Sequence, residues 1–387
     1  MTRVAIIGVG MTAFGEFWEK GLRDLIVEAG GAAIADAGIE GADIDAGYVG
    51  SMSPGRFIGQ EHIGALVADY VGLTGIPATR VEAACASGGL ALRQAYLSIK
   101  AGENKIVVTG GVEKMTDVSV ERAMITLGGA GDQEWELFHG ATFPALYALM
   151  ARRHMLEYGT TEEQLAAVAV KNHKNGALNP KAQYQSEVSI KQVMNSSPVA
   201  TPLKLLDCSP ITDGAAVAIL ADEKSAKKYC ENPVWIDASA QASDTLALHD
   251  RKSLCTMQAA IQAGKKAYEQ AKVKLKDLDF AEVHDCFTIA EIMAIESLGF
   301  CKMGEGGKFT EDGNTARDGQ IPVNASGGLK AKGHPVGATG IAQAVEATLQ
   351  LRGEAGKRQI KGAEIGLTHN VGGSGATCVV HILRRDG

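Results

Sequence analysis

The chain has no long hydrophobic run, few aromatic residues and no excess of positive charge. Among its 387 residues, 5% are aromatic, and 38 Lys and Arg are set against 45 Asp and Glu, which gives a net charge of −7. The longest apolar stretches, such as residues 215–221, are too short to cross a bilayer. An acidic chain also offers no basic surface to nucleic acid. We therefore expect neither a membrane nor a nucleic-acid partner.

The seven cysteines lack the pattern of a disulfide framework or of a zinc site. Their number is odd, and no two of them have the C-x-x-C spacing. The first residues, MTRVAIIGVG, enter a strand-like run and show neither the layout of a signal peptide nor an Arg-rich transit segment. We expect a cytoplasmic protein without a structural metal.

The chain contains one order of elements twice: helix, strand, helix, strand, Gly-rich turn, long helix and strand. In the first half these patterns lie at residues 22–38, 46–50, 59–71, 80–84, 87–89, 90–101 and 106–111. In the second half they lie at residues 254–273, 280–284, 289–298, 321–325, 327–340, 341–352 and 365–373. The alternation predicts parallel or mixed sheets covered by helices, and the repeat predicts a duplicated α/β unit. The alternative is that any two α/β stretches look alike.

A segment between the halves has no counterpart in the second half. It contains helical patterns at 144–157 and 161–177, and residues 213–220 after it read as a strand that returns to the first half. We interpret the segment as an inserted loop domain. The predicted units are an N-terminal half, a loop domain and a C-terminal half, at residues 1–115 with 204–230, at 116–203 and at 231–387.

Cys85 is the first candidate for chemistry. It lies in VEAACASGG, between an apolar run and the helix-forming LALRQAYLSIKAG. Small neighbours leave room for an acyl group, and a helix N-terminus lowers the pKa of a thiol because its free N–H groups favour the thiolate. The pattern is that of a nucleophile. The alternative is a buried structural thiol, since free cysteine is among the most buried residue types.

His334 is the second candidate. It lies in NASGGLKAKGHPVGATG, residues 324–340, between glycines and at the mouth of a helix. A neutral imidazole there is suited to take the proton of Cys85 and later to donate to a developing oxyanion. The alternative is a histidine that caps a helix in a Gly-rich loop.

Two more segments follow strands of the second half. In His-Asp-Cys-Phe, His284 and Cys286 are two residues apart, so in a strand they point to one side and would supply a hydrogen-bond donor and an acid/base thiol. HNVGGSGA, residues 369–376, is a turn suited to offering backbone N–H groups to an oxyanion. The alternatives are a His-Asp pair beside a core cysteine, and a tight hairpin. Sites in such sheets gather at the carboxyl ends of strands, so we expect all four segments to meet.

The combination of VEAACASGG, HDCF, GGLKAKGHPVGATG and NVGGSGA resembles the thiolase superfamily, and within it the sterol-carrier-type and archaeal acetyl-CoA C-acetyltransferase branch. The similarity covers essentially the whole chain, including FHGATFPALYALMARRHMLEYG and DGAAVAIL. The resemblance implies the thiolase fold, a duplicated five-layered αβαβα arrangement with an inserted loop domain. It also implies a homo-oligomer, dimer or tetramer, and coenzyme A thioesters as substrates, with no cofactor.

The resemblance also implies roles for individual residues. Cys85 is the acylated nucleophile, and His334 is the histidine that activates it and helps to bind a thioester oxygen. His284 stands where most thiolases carry the Asn of an Asn-Glu-Ala-Phe motif, beside the first oxyanion hole. The N–H groups of Cys85 and Gly373 would form the second oxyanion hole.

The chain departs from the common thiolase pattern at the second catalytic cysteine. Most thiolases carry it in a C-terminal Cys-x-Gly motif, where this chain has HNVGG, and we interpret Cys378 beyond it as a core residue. In the His-Asp-Cys-Phe branch that motif supplies the thiol, which gives the acid/base role to Cys286. Phe287, Ser326 and Gly327 are expected to bind the substrate.

The implied reaction is that of an acetyl-CoA C-acetyltransferase, or acetoacetyl-CoA thiolase. Such an enzyme joins two acetyl-CoA molecules reversibly in a Claisen condensation, through an acetyl-cysteine. Archaeal-type relatives suggest a role in 3-hydroxy-3-methylglutaryl-CoA (HMG-CoA) and mevalonate synthesis, with HMG-CoA synthase and a small zinc-containing OB-fold protein as partners. Two alternatives stay open: a ketoacyl-ACP synthase or HMG-CoA synthase type of condensing enzyme, and a non-catalytic acyl-CoA-binding scaffold subunit.

Overall fold

The computed structural model describes residues 2–385. Its strands are β1 (Val4–Met11), β2 (Ala46–Gly50), β3 (Ala78–Val81), β4 (Ile106–Glu113), β5 (Pro198–Ala200), β6 (Leu203–Lys204), β7 (Gly214–Asp222), β8 (Val234–Ser243), β9 (Phe280–Glu282), β10 (Ile365–Gly372) and β11 (Thr377–Arg385). Its α-helices are α1 (Leu22–Ala37), α2 (Pro54–Phe57), α3 (Ile63–Tyr70), α4 (Ser87–Ala101), α5 (Val120–Gly128), α6 (Phe143–Tyr158), α7 (Glu162–Gly176), α8 (Ile190–Met194), α9 (Glu223–Tyr229), α10 (Gln258–Ala271), α11 (Thr288–Ser297), α12 (Gly306–Glu311), α13 (Gly328–Lys332) and α14 (Thr339–Arg352).

Within residues 2–385, nine strands form one hydrogen-bonded sheet in the order β3-β2-β4-β7-β1-β8-β11-β10-β9. In the N-terminal half, β2 is parallel to β3 and β4, and β7 is antiparallel to β4 and β1. In the C-terminal half, β10 is parallel to β9 and antiparallel to β11, which is antiparallel to β8. The halves thus repeat one pairing pattern in opposite directions, which confirms the duplicated unit. They meet where Ala5 and Ile6 of β1 pair with β8.

Helices cover both halves of the sheet and also separate them. The buried side of α1, with Leu25 and Ala29, packs on the N-terminal strands, and α10 packs on the C-terminal strands and on α11. Between the halves, α4 and α14 pack against each other, and Leu92 and Ile341 share one apolar core with residues of β1 and β11. This is the αβαβα order of the thiolase fold. No helix in the described part of the chain has the length and apolar character needed to cross a membrane.

The segment between β4 and β7 contains α5 to α8 and the hairpin of β5 and β6. The helices predicted at 144–157 and 161–177 are confirmed as α6 and α7. The hairpin pairs Pro198 with Lys204 and therefore crosses the boundary that we predicted between residues 203 and 204. The division of the chain into a loop domain and two halves stays a prediction.

The strand predicted at residues 321–325 is wrong. Val323 forms only an isolated bridge with Ala281, in the place that β3 occupies in the other half. Pro322 has no N–H to donate, and Asn324 has a φ of 58°, which turns the backbone out of the extended path. Two hydrogen bonds remain, from the Ala281 N–H to the Pro322 carbonyl and from the Asn324 N–H to the Ala281 carbonyl, both 2.9 Å.

Candidate active site

Cys85 lies in the predicted turn between a strand and a long helix, β3 and α4. Ala84 before it has a φ of 50°, and α4 begins two residues later at Ser87. The Ser87 hydroxyl donates to the Ala84 carbonyl at 2.6 Å, which ties the turn to the start of the helix. A Cβ on Gly88 would lie 2.6 Å from the Gly337 carbonyl oxygen, so glycine allows this helix end to pack closely on the C-terminal half.

Cys85 opens onto an apolar cavity of about 320 Å³. Residues from both halves and from the segment between them contribute to its wall, among them Met115, Val120, Met124, Phe143, Tyr147, Val199, Cys286, Phe287, His334 and Gly373. A larger cavity, of about 550 Å³, lies beside α1 and α3 and is lined by none of the predicted site residues. The smaller cavity is therefore the candidate active site.

Cys85, His284 and His334 converge: Cys85 and His334 line the cavity, and His284 lies buried beside them without lining it. The Cys85 sulfur and one nitrogen of each ring lie within 4.8 Å of one another, and the two rings meet edge to face with centroids 5.0 Å apart. The sequence suggested that His284 and Cys286 share one face of a strand. This is not so, because β9 ends at Glu282 and both residues follow it in a turn. The turn brings His284 to the pair of Cys85 and His334, while Cys286 lines the cavity.

Thr339 sets the tautomer of His334. Its hydroxyl donates to the Pro335 carbonyl at 3.0 Å, so it accepts a hydrogen bond from Nδ1 of His334 at 2.7 Å. Nδ1 therefore carries the proton, and Nε2 has a lone pair. Burial lowers the pKa of His334 to about 3, which keeps the ring neutral. A neutral imidazole with Nε2 unprotonated is ready to accept a proton.

Asn370 sets the opposite tautomer on His284. Its Oδ1 accepts the Gly89 N–H at 3.1 Å, so Nδ2 donates to the Cys85 carbonyl at 3.0 Å and to Nδ1 of His284 at 3.2 Å. Nε2 of His284 then carries the proton, and this buried atom has no partner among residues 2–385. Burial and the neighbouring His334 lower the pKa of His284 well below its usual value. A buried, unpaired N–H suits an oxyanion and offers no lone pair to a metal ion.

The position of Cys85 before a helix predicts a lowered pKa, but the pKa of this thiol is raised. Burial raises the pKa of the thiol to about 12, and the Glu113 carboxylate adds to this, while a hydrogen bond from the Gly373 N–H acts in the opposite direction. The resting nucleophile is thus a neutral thiol. Gly373 has a φ of 62°, and a Cβ there would lie 2.9 Å from the Ala130 carbonyl oxygen, so glycine allows this N–H to reach the sulfur.

Cys286 contacts a tyrosine to which the sequence had given no role. Burial raises the pKa of the Cys286 thiol well above its usual value, and a hydrogen bond from Tyr147 lowers it. Tyr147 is fully buried on α6, donates to the Gly373 carbonyl at 3.1 Å, and packs on the Phe287 ring with centroids 4.6 Å apart. A single tyrosine in a helical pattern gives no signal of function, and Asn370 was visible only as part of a Gly-rich motif.

Ser326 and Gly327 do not line the cavity, contrary to the expectation that they bind the substrate. The Ser326 carbonyl accepts a hydrogen bond from Nδ2 of Asn179 at 2.8 Å. A Cβ on Gly327 would lie 2.8 Å from Cα of Gly176. Both residues therefore belong to the buried packing between α7 and the C-terminal half. Phe287 does line the cavity, and Cys378 is a buried residue of β11, as the sequence indicated.

Two family models match almost the entire chain. The thiolase N-terminal domain matches residues 4–224, and the thiolase C-terminal domain-like model matches residues 240–385. The chain belongs to the thiolase family. This thiolase carries its family resemblance in both halves, in agreement with the repeated pairing pattern of its strands.

Relatives of this thiolase match it over its full length. The acetyl-CoA acetyltransferase of Methanothermobacter thermautotrophicus is 60% identical, with 100% of both chains covered. That of Methanocaldococcus jannaschii is 52% identical, with 99% of both covered. Sterol carrier protein 2 of Bos taurus is 37% identical over 97% of this chain and 71% of that protein. These relatives confirm the branch that the motifs indicated.

A solved structure has the same fold. The Ltp2-ChsH2(DUF35) aldolase superposes with a TM-score of 0.87 at 28% sequence identity, and the match covers 99% of this chain and 98% of that chain.

Proposed function

We propose that this thiolase is an acetyl-CoA C-acetyltransferase, which condenses two acetyl-CoA molecules reversibly through an acetyl group on Cys85. The observation that carries the proposal is the convergence of Cys85, His284 and His334 within 4.8 Å, with Cys85, His334 and Cys286 lining one apolar cavity. The name acetyl-CoA acetyltransferase of the relatives at 60% and 52% identity supports it.

The first half-reaction transfers an acetyl group to Cys85. Nε2 of His334 takes the proton of the Cys85 thiol, and the thiolate attacks the carbonyl of acetyl-CoA. The N–H groups of Cys85 and Gly373 stabilise the oxyanion that forms. When the carbon–sulfur bond to coenzyme A breaks, the departing thiolate takes the proton of Cys286. The products are coenzyme A, acetyl-Cys85, a protonated His334 and a Cys286 thiolate.

The second half-reaction forms the carbon–carbon bond. The Cys286 thiolate removes a proton from the methyl group of a second acetyl-CoA, and the enolate oxygen is held by the N–H groups of His284 and His334. Each such donor is typically worth about 3 kcal/mol. The enolate carbon attacks acetyl-Cys85, acetoacetyl-CoA leaves, and His334 returns its proton to the Cys85 sulfur. The protons and charges balance over the cycle without a metal or redox cofactor.

Intact-protein mass spectrometry tests the proposal. After incubation with acetyl-CoA, we expect one acetyl adduct that the Cys85→Ser variant lacks, and cleavage of acetoacetyl-CoA when coenzyme A is added. Use of acetyl-CoA as both donor and acceptor would distinguish the enzyme from a ketoacyl-ACP synthase or HMG-CoA synthase. Absence of both adduct and cleavage would overturn the proposal in favour of a non-catalytic subunit.

The proposal includes a cellular setting. Acetoacetyl-CoA formation is unfavourable, so a following enzyme must consume the product; we place this thiolase in the cytoplasm, before HMG-CoA synthase and mevalonate synthesis. The DUF35 component in the name of the structurally similar aldolase supports a small partner protein, for which the resemblance suggests a zinc-containing OB-fold protein. Self-association as a dimer or tetramer belongs to the same proposal. Purification from the native source tests it, and recovery of this chain alone as a monomer would contradict it.

A further inference from the structure

We propose that Tyr147 is a positioning residue for Cys286, whose hydroxyl turns from the Gly373 carbonyl to the Cys286 sulfur and stabilises the thiolate that removes the substrate proton. The inference rests on the proposed acid/base role of Cys286. It gives a function to a buried side chain from the segment between the two halves, to which neither the motifs nor the relatives assign one.

The hydroxyl of Tyr147 has two acceptors and one proton. The tyrosine is fully buried, and its oxygen lies 3.1 Å from the Gly373 carbonyl oxygen. Tyr147 and Cys286 line the same cavity, and the Tyr147 ring packs on Phe287, the residue after Cys286, which places the hydroxyl within reach of the Cys286 sulfur. A phenol donates to one acceptor at a time. A neutral thiol is a weak acceptor, whereas a thiolate is a strong one, so the charge on Cys286 decides where the proton points.

The surroundings of Cys286 otherwise disfavour a thiolate. Burial raises the pKa of the Cys286 thiol, Cys85 and Asp285 add to this, and the buried ring of His284 is neutral. Tyr147 is the side chain whose hydrogen bond lowers this pKa, and the backbone N–H of the next residue contributes less. During proton abstraction the tyrosine hydroxyl and the protonated His334 therefore both favour the Cys286 thiolate.

The Gly373 turn can lose this hydrogen bond and keep its shape. The guanidinium of Arg251 donates to the Ser374 carbonyl at 2.5 Å and to the Ser374 hydroxyl at 3.0 Å, immediately beyond Gly373. The Gly373 N–H thus stays at the Cys85 sulfur when the Tyr147 hydroxyl turns away. When Cys286 has taken the substrate proton, the hydroxyl returns to the carbonyl, and the tyrosine keeps its own proton throughout.

The test compares Tyr147→Phe with Tyr268→Phe. Phenylalanine at 147 keeps the ring that packs on Phe287 and removes only the hydroxyl. Tyr268 is a matched control, because its hydroxyl donates to the Leu298 carbonyl at 3.0 Å, away from the cavity. In a Cys85→Ala background, the rate of Cys286 alkylation by iodoacetamide is followed against pH by peptide mass spectrometry, which reads the thiol pKa without enzymatic turnover.

We expect Tyr147→Phe to raise the pKa of Cys286 by about one unit, which lowers its alkylation rate about tenfold at a fixed pH below that pKa. With Cys85 intact, kcat for condensation should fall about tenfold and its pH profile should shift to higher pH, while KM for acetyl-CoA stays unchanged. Tyr268→Phe should change none of these. If Tyr147→Phe does not change the pH dependence of Cys286 alkylation, the proposal is overturned.

A second substitution covers the case in which Tyr147→Phe does not fold. A 3,5-difluorotyrosine at position 147 keeps the shape of the side chain and is a stronger donor, so the pKa of Cys286 should fall; no change would also overturn the proposal. A separate experiment shows whether the proposed function itself is wrong. If Cys286→Ala still condenses acetyl-CoA, the base assignment is wrong, whereas the alkylation profiles report on Tyr147 alone.

Discussion

The two halves share one strand pattern, but their strand ends differ. After β2, the Glu113 carboxylate accepts the N–H groups of Met52 at 2.7 Å and Ser53 at 3.2 Å and the hydroxyl of Ser51 at 3.2 Å. After β9, the corresponding turn carries His284, whose Nε2 has no partner among the described residues, and Cys286. In the N-terminal half, the polar groups after β2 are therefore hydrogen-bonded to one another. In the C-terminal half, a buried ring N–H beside Cys85 and His334 is left without a partner among residues 2–385.

The starts of the two central helices, α4 and α14, also differ in the group that they carry. Cys85 lies two residues before α4, and His334 lies five residues before α14, so the duplicated fold puts a thiol and an imidazole near the starts of corresponding helices. Burial raises the pKa of Cys85 to about 12 and lowers that of His334 to about 3. Both groups are therefore neutral at rest, and the thiolate forms only together with the imidazolium.

The largest effect is expected when Cys286, after β9, is replaced and the result is compared with a substitution of Ser51, after β2. Cys286→Ala should lower condensation and thiolysis by about 10⁴-fold or more, because the base for the substrate proton is gone, yet leave Cys85 able to carry an acetyl group. Ser51→Ala, at the corresponding end in the other half, should keep at least about a third of the activity, because it removes one hydrogen bond to Glu113. Acetoacetyl-CoA assays and intact mass spectrometry measure both, and unchanged turnover in Cys286→Ala would contradict the assignment.

The next prediction removes the amide that connects the halves at His284. Asn370→Ala frees Nδ1 of His284, so both tautomers become populated and kcat should fall about 10- to 100-fold. Asn175→Ala is a comparable truncation, since the Nδ2 atom of Asn175 donates to the Asn324 carbonyl at 3.0 Å. We expect it to lower stability and leave kcat intact. Equal kcat losses in both variants would show that Asn370 acts through folding alone.

A smaller effect is expected from the Gly373 turn. Gly373→Ala strains a positive φ and meets the Ala130 carbonyl, so the N–H should move off the Cys85 sulfur and kcat should fall about tenfold. Gly353→Ala also has a positive φ, 78°, but no atom lies near the added methyl group. It should cost about 1–2 kcal/mol of stability without a change in kcat. Steady-state kinetics and thermal melting together separate the two variants.

The last prediction concerns acid stability and not activity: His381 joins the halves by a 3.1 Å hydrogen bond from Nε2 to the Gly89 carbonyl. Burial lowers its pKa to about 4. Between pH 6.5 and 4 the unfolded chain therefore binds a proton that the folded chain does not, and the free energy of unfolding falls as the pH falls, by at most about 3 kcal/mol. Glu113, with a pKa raised to about 7, acts in the opposite direction.

Thermal melting at pH 6.5 and pH 4.5 checks this prediction. The decrease in Tm between the two pH values should be smaller in His381→Gln than in the original chain. His249→Gln is the control, because that side chain is exposed and its loss should leave the decrease unchanged. If Tm decreases by the same amount in all three proteins, His381 does not contribute to the loss of stability in acid.

The fold could be predicted to a large extent from local patterns. The helical and strand-like runs of each half gave the duplicated unit, since apolar spacing reports which face of an element is buried. The strand predicted at residues 321–325 failed because Pro322 and the positive φ of Asn324 stop the ladder there. The four motif segments also predicted which residues meet, because strand ends gather at one edge of a sheet.

The amino-acid sequence determined which reactive groups are present and in which elements they lie. These are a thiol and an imidazole before two helices, a second thiol after a strand, and glycines where backbone N–H groups approach the site. The tertiary structure alone decided their states. Burial, not the helix end, sets the pKa of Cys85, and contacts across long sequence separations fix the tautomers of His284 and His334 and bring Tyr147 to Cys286. Local sequence cannot report such contacts, because desolvation and hydrogen bonding depend on which distant residues surround a group.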